Sequence, residues 1–480
     1  MKVLTNAFWL SSCRILADLL SFALITVISR AFGPAGTGDY SYAFAVGTLV
    51  AMISTSGFED YGIRQYARAA PSERPQLWRD ILSAQCAQLA LGALAFGLFA
   101  LAGIIRASNV VVVLELSIYV VGWTISRTFF VPAMAAQSMV RPAFTDLACR
   151  VTAIVSALLL ALFVRPSLPW TLAVFPLAGV TLAALALANA ASRGAPLRPG
   201  RSLRRIVMTL RGTMPFAGSD VLNQFYARAD LLLIAYFLGD ANVGLYAIDI
   251  KFVEVGLLPL ILLGTAAYPL LSTHAARDAT TFGHAARDFM RLLFFLTGWL
   301  SIGILYLVPL IIVPLFGAKF APAVPLLPWV ALFALMKGGE ATFYRLLYAA
   351  RRQTLYCLTL LVGTILIVTL NFELIPAYGL VGALGAAIVS TAVIDTLAGS
   401  GLARQIGTGA LLGCALRLIA AVAFTIGCCW GAQRLGLPEH TAQIAACAVY
   451  PLIGLLLGLV PHPRHSLLLR HIETSDAAPG

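Results

Sequence analysis

The sequence predicts an all-α polytopic membrane protein of about 14 transmembrane helices, and three observations predict it. Of the 480 residues, 60% are hydrophobic and 11% charged, with a mean hydropathy of +0.88. No soluble fold can hide that much apolar surface. The apolar runs are far longer than a barrel strand needs and alternate weakly, which excludes a transmembrane β-barrel. Finally, one pattern occurs twice. Gly33-Pro34-Ala35-Gly36-Thr37-Gly38-Asp39-Tyr40 and Gly239-Asp240-Ala241-Asn242-Val243-Gly244-Leu245-Tyr246 both read G-x4-G-x-Y, 206 residues apart, each after a long apolar run. The chain therefore reads as duplicated, with the second copy starting near residue 212. The two glycines are expected to allow a tight turn and the tyrosine to anchor at the membrane interface.

The expected spans of the first copy are 7–29, 40–58, 81–104, 110–135, 143–164 and 170–192. Those of the second are 213–238, 243–271, 289–315, 324–349, 355–375 and 380–402, and two more follow at 411–433 and 441–461. Each can cross about 30 Å of hydrocarbon at about 1.5 Å per residue. Loop charge then sets the orientation. With both termini cytoplasmic, the cytoplasmic connections hold 20 Lys or Arg and the opposite side holds five. Cytoplasmic loops carry such an excess of basic residues. That asymmetry also accounts for the net charge of +12, and no aromatic-basic patch argues for nucleic acid.

The longest connection contains Arg193, Arg198, Arg201, Arg204 and Arg205 with Pro196 and Pro199. It reads as a basic linker on the cytoplasmic side, with an amphipathic helix on the inner leaflet as one form open to it. The expected organisation is 1–192 for spans one to six, 193–212 for the linker and 213–403 for spans seven to twelve. Spans thirteen and fourteen occupy 404–461, and a cytoplasmic tail 462–480. The eight cysteines lie in apolar segments without metal-ligand spacing and read as small buried residues. The six histidines lie in loops or near the chain ends and define no zinc site. Lys2 precedes a long apolar run without a small-residue cleavage site, so a first span is expected there. No Walker A, G-x-S-x-G or H-E-x-x-H pattern occurs, so neither ATP hydrolysis nor covalent catalysis is expected, and no cofactor or metal is implied. The outward loops are too short for the catalytic loop of a membrane glycosyltransferase or polymerase. The chain thus reads as a non-enzyme.

Charges within apolar helices are costly and face a cavity or a partner. Arg14 and Asp18 are i, i+4 in span one, Lys251 and Glu254 are i, i+3 in span eight, and Lys337 and Glu340 repeat that spacing in span ten. Each pair is open to two readings, a salt bridge that locks helices or part of a basic cavity for an anion. Arg127, Arg150, Arg345 and Arg417 lie closer to the span ends, within snorkelling reach. Arg228 stands fourteen residues after Met214, about 21 Å along the helix, too deep for an easy reach to water. Asp230, two residues on, points elsewhere. Arginine suits phosphate because its fork donates two parallel hydrogen bonds.

These stretches resemble a family. ISRAFGPAGTGDYSYAFA (28–45) is similar to the opening of bacterial polysaccharide-unit flippases of the multidrug/oligosaccharidyl-lipid/polysaccharide exporter superfamily. FYARADLLLIAYFLGDANVGLYAIDIKFVE (225–254) resembles their second-half signature, and FGAKFAPAVPLL (316–327) and IPAYGLVGALGAAIVS (375–390) resemble later stretches. The resemblance implies two pseudo-symmetric six-helix lobes plus two C-terminal helices. It implies a central cationic cavity lined by helices one, two, seven and eight, which points to Arg14, Arg30, Arg228 and Lys251 as substrate-binding residues. Arg30 falls near the outer mouth. Asp18, Asp230, Glu254 and Glu340 are the expected ion-coupling acids. The implied function is translocation of a polyprenyl-diphosphate-linked glycan across the bilayer of the bacterial inner membrane, with polysaccharide polymerase and chain-length proteins as partners. A lipid II flippase and a drug/cation antiporter of the same superfamily are the alternatives.

Overall fold

In this computed structural model the described residues are 2–461 except 107, 137, 139, 165, 166 and 201, without the side chains of 2–11, 14, 215 and 219. They form α-helices, one π-helical turn and one 3-10 segment, with no strand among them. The first helix, α1 (Lys2–Thr55), holds two spans and bends where Gly33 takes φ 68° ahead of Pro34. Only glycine enters that region without a Cβ penalty. A short helix α2 (Phe58–Arg68) follows, then α3 (Arg74–Leu101), α4 (Val110–Phe129) and its extension α5 (Val131–Ala135). Next come α6 (Val140–Leu159), ending in a π-turn at Leu160–Val164, then α7 (Leu168–Leu172) and α8 (Val174–Ser192).

The second series is α9 (Leu203–Leu238), α10 (Asp240–Gly256), α11 (Leu258–Arg277), α12 (Ala279–Tyr306) and α13 (Val308–Phe316). A 3-10 segment, Ala318–Leu326, leads into α14 (Leu327–Ala349). Then α15 (Gln353–Ile406) bends at Gly379 (φ 59°), and α16 (Thr408–Arg434) and α17 (Glu439–Leu456) close the chain. Proline starts α3, α11, α13 and α14, where its missing N–H is one of the unpaired helix-end donors. Ten stretches are long and apolar enough to cross a membrane. Two of them, Ile15–Arg68 and Gln353–Ile406, each contain a pair of spans joined at a glycine bend. The more polar α9 and the short α17 fall where the seventh and fourteenth spans are expected.

Several boundaries differ from the sequence expectation, among them the starts of α3 and α12, which lie at Arg74 and Ala279. Helix α9 begins at Leu203, within the basic connection, because Leu203–Gly212 is rich in helix formers and has no proline. Residues 59–68, expected as connection, belong to α2, whose Phe58, Gly62 and Tyr66 are buried along one face.

By Cα proximity the chain divides into two compact units, 1–247 and 248–480. Within the first, α4 packs on α8 and α1, and α1 on α3, α6 and α9. Within the second, α12, α14 and α15 pack together, with α16 and α17 against α12. Small residues bring these helices close, as expected where lipid removes the hydrophobic drive between them. A Cβ on Gly122 would lie 2.4 Å from the Gly179 carbonyl oxygen, and one on Gly338 2.1 Å from Thr297 Oγ1. The large exposed hydrophobic side chains are aliphatic, as along Leu91, Leu94 and Leu98 of α3, and aromatic, as at Trp170, Tyr236 and Trp430. A lipid-facing helix surface needs that chemistry.

Candidate functional site

The two G-x4-G-x-Y turns meet. Gly33 (φ 68°) and Gly239 (φ 82°) make the bends. A Cβ on Gly38 would lie 1.7 Å from the carbonyl oxygen of Asp240, and one on Gly244 2.0 Å from that of Pro34. Pro34 and Asp240 hold matching places in the two copies, so each copy lays its second glycine on the other's first turn. The tyrosine departs from expectation. Tyr246 is 1% exposed, because its hydroxyl finds an acceptor inside the protein, Oδ2 of Asp230. Tyr40 stacks on Phe44 with ring centroids 6.3 Å apart.

Arg106 fastens this junction. Its Nη1 donates to both oxygens of Asp240 at 2.9 and 3.0 Å, and its Nη2 donates to the Ala235 carbonyl. The guanidinium also stands 5.9 Å from the centroid of the Tyr42 ring. Asn109 donates to Asp39 at 2.8 Å. In the sequence Arg106 is one of the five basic residues outside the cytoplasmic connections. Its acid lies 134 residues away, and only the repeat pattern hinted at the meeting place.

Of the residues expected to bind substrate, Arg228 and Arg30 belong to the first unit and Lys251 to the second. Arg14 has its side chain outside the described residues. Arg228, half-buried on α9, holds its guanidinium 5.7 Å from the centroid of the Phe44 ring of α1. A cation over an aromatic face is attracted by the ring quadrupole. Arg30 is exposed three residues before the Gly33 bend. Lys251 pairs with Glu254 at 2.9 Å, as the i, i+3 spacing predicts.

The expected ion-coupling acids differ in setting. Asp230 is buried, and its two oxygens accept from the Leu231 N–H at 2.7 Å and from Tyr246. Asp18 is half-buried on α1. Glu254 is exposed beside Lys251. Glu340 is 8% exposed and pairs with Lys337 at 2.7 Å. Asp395 of α15 joins this last pair, since a Cβ on Gly339 would stand 2.4 Å from its Oδ2. Sequence reasoning missed Asp395. It lies 55 residues from Glu340 without a local partner, so spacing gave no signal.

Arg127, Arg150 and Arg345, near span ends, have partners among the described residues. Arg127 donates to both oxygens of Glu59, at 2.5 and 2.8 Å. Arg150 pairs with Asp146 at 3.2 Å and lies 4.2 Å from the Trp123 ring centroid. Arg345 donates to Thr265 at 3.0 Å. Outside the spans, Asp278 caps α12. It accepts from Thr280 Oγ1 at 2.6 Å, from the Thr281 N–H at 2.6 Å and from Thr281 Oγ1 at 2.7 Å. These bonds hold its carboxyl well below the usual carboxylate range.

A chain of long apolar helices, duplicated about a paired glycine turn and carrying cations inside its spans, is a multi-pass membrane protein of transporter type. A family model described as polysaccharide biosynthesis protein matches residues 3–274, more than half the chain, and the chain belongs to that family. No curated protein matches it in sequence. Among solved structures it is similar to the lipid II flippase MurJ in an inward closed conformation. That match has 13% identity over 94% of this chain and 97% of that one, with a TM-score of 0.74. It is also similar to an inward-facing multidrug resistance MATE family transporter of the MOP superfamily. There the identity is 11% over 82% of this chain and 96% of that one, with a TM-score of 0.60. A MOP superfamily transporter from Pyrococcus furiosus matches at 12% identity, covering 86% and 96%, with a TM-score of 0.55. At such identities the likeness is one of fold, and the fold is that of the multidrug/oligosaccharidyl-lipid/polysaccharide exporter superfamily.

Proposed function

We propose that this protein is a flippase. It moves polyprenyl-diphosphate-linked oligosaccharide units across the inner membrane of a bacterium, by alternating access, for assembly of surface polysaccharide. The observation that carries the reading is the family match over residues 3–274, laid on a transporter fold. The physical task is to pass a diphosphate and hydroxyl-rich sugars through hydrocarbon while the prenyl tail stays in lipid. Arg228 suits it, as a deep arginine with a planar fork for phosphate oxygens, and Lys251, Arg30 and Arg14 add positive charge. Asp18, Asp230, Glu254 and Glu340 are the acids proposed for ion coupling. Both termini and the connections rich in arginine lie in the cytoplasm on this reading. The chain acts as a transporter, not an enzyme, and hands its cargo to polymerising and chain-length proteins.

A lipid II flippase is the second reading, favoured by the 97% coverage of the MurJ structure. The two differ in the sugar carried, not in the diphosphate. The multidrug transporter covers 82% of this chain and 96% of its own, so this chain has length beyond that relative, which weighs against a drug/cation antiporter. Deleting the gene tests the choice. Loss of surface polysaccharide, with lipid-linked glycan accumulating on the inner leaflet and wall synthesis continuing, is the expected result. Arrest of wall synthesis would point to lipid II instead.

A further inference from the structure

Asp249 lies in α10, two residues before Lys251 and five before Glu254. The matching position of the first copy, 206 residues earlier, is Ala43, and both residues are 0% exposed. The second copy thus holds a carboxyl where the first holds a methyl. Neither carboxyl oxygen of Asp249 has a hydrogen-bond partner among the described residues. Its neighbours in the chain are differently placed. Asp230 has donors on both oxygens, and Glu254 and Glu340 hold lysines.

A bare carboxylate shut among apolar helices, with no donor, is far costlier than the neutral acid. A carboxyl in that setting is held as the neutral acid, carrying a proton taken from water. A metal ion would need several oxygen ligands around it, whereas a proton needs one carboxyl oxygen. Seven residues on, α10 ends at Gly256, and α11 starts afresh with Leu258 and Pro259.

We propose that Asp249 is a proton-carrying residue that couples the transport cycle to the proton gradient. It takes up one proton while water reaches α10 from one side and releases it when water reaches α10 from the other. No covalent bond to a heavy atom changes, and the transferred species is H+. This inference rests on the reading of the chain as a transporter; it adds Asp249 to the acids which that reading assigns to coupling and names the coupled ion as the proton.

Asp249→Asn is isosteric with the neutral acid, so its abundance and melting should equal those of the wild type. Infrared difference spectra of the purified full chain at neutral pH should show a protonated-carboxyl band in the wild type that Asp249→Asn lacks. Identical spectra would mean that Asp249 is ionised and would overturn the proposal. In cells, Asp249→Asn should lose gradient-driven polysaccharide export, and Asp249→Glu should regain part of it. Export by Asp249→Asn at the wild-type rate would overturn it as well. The infrared readout needs no substrate, so it decides the state of Asp249 even if the glycan reading fails.

Discussion

Gly38→Ala is the most pointed test of the paired turns. The new Cβ would sit 1.7 Å from the Asp240 carbonyl oxygen, against an ordinary contact of 3.4–4 Å. The shortfall is about 1.7 Å or more, and the obstacle is backbone. No rotamer change relieves it, so the two helices must part. Overpacking of this kind costs about 1–3 kcal/mol. Alanine in a helix returns up to about 1 kcal/mol over glycine. The control is Gly385→Ala, which has open space around the new Cβ and should gain about 0.5–1 kcal/mol. Apparent melting of the detergent-solubilised protein should therefore fall for Gly38→Ala and rise slightly for the control. Gly244→Ala should behave like Gly38→Ala, and the double variant should lose less than the sum, because one separation relieves both clashes. Equal melting of Gly38→Ala and Gly385→Ala would refute the close approach of the two turns.

Other outcomes follow from the same geometry. Arg228→Ala is expected to abolish export at normal protein abundance, and Arg228→Lys to restore part of it because the ammonium lacks the fork; immunoblots and surface-glycan staining read both. Arg106→Ala and Asp240→Ala should each lower stability by about 1–3 kcal/mol, and a double-mutant cycle should give a coupling energy well above zero. The start of α12 should keep its stability at neutral pH and lose it on acidification. The Asp278 carboxyl titrates lower folded than unfolded, so its contribution is complete above the unfolded value of about 3.9 and is lost as pH falls towards the folded one. Hydrogen exchange of the Thr281 N–H against pH measures this, and Asp278→Asn should flatten the profile.

Much of this was legible in the amino-acid order. Apolar run length gave the fourteen spans, because a bilayer fixes how long a helix must be. The i, i+3 spacing gave Lys251–Glu254 and Lys337–Glu340, because helix geometry puts such residues on one face. The doubled glycine pattern pointed to two equivalent turns, but not to their mutual packing. Contacts between distant segments left no local mark, as with Arg106–Asp240, Arg127–Glu59 and the approach of Asp395 to Gly339. Nor did burial of a particular face show itself. Asp249 and Asp230 lie nineteen residues apart in similar apolar runs, yet one is fully bonded and the other has no partner among the described residues. Tyr246 misled for a related reason, since aromatic residues beside a turn suit the interface equally well when no buried acceptor is in sight.

The central claim is that this chain moves a glycan carried on a polyprenyl diphosphate. The most direct measurement reconstitutes the full chain in liposomes loaded with fluorescent polyprenyl-diphosphate oligosaccharide, lipid II or neither, under an imposed ion gradient, and follows exposure of the sugar on the far leaflet. Transfer of the oligosaccharide lipid is expected, slowed in Arg228→Ala, with little transfer of lipid II. Transfer of lipid II alone, or efflux of a cationic dye without transfer of either lipid, would contradict the claim.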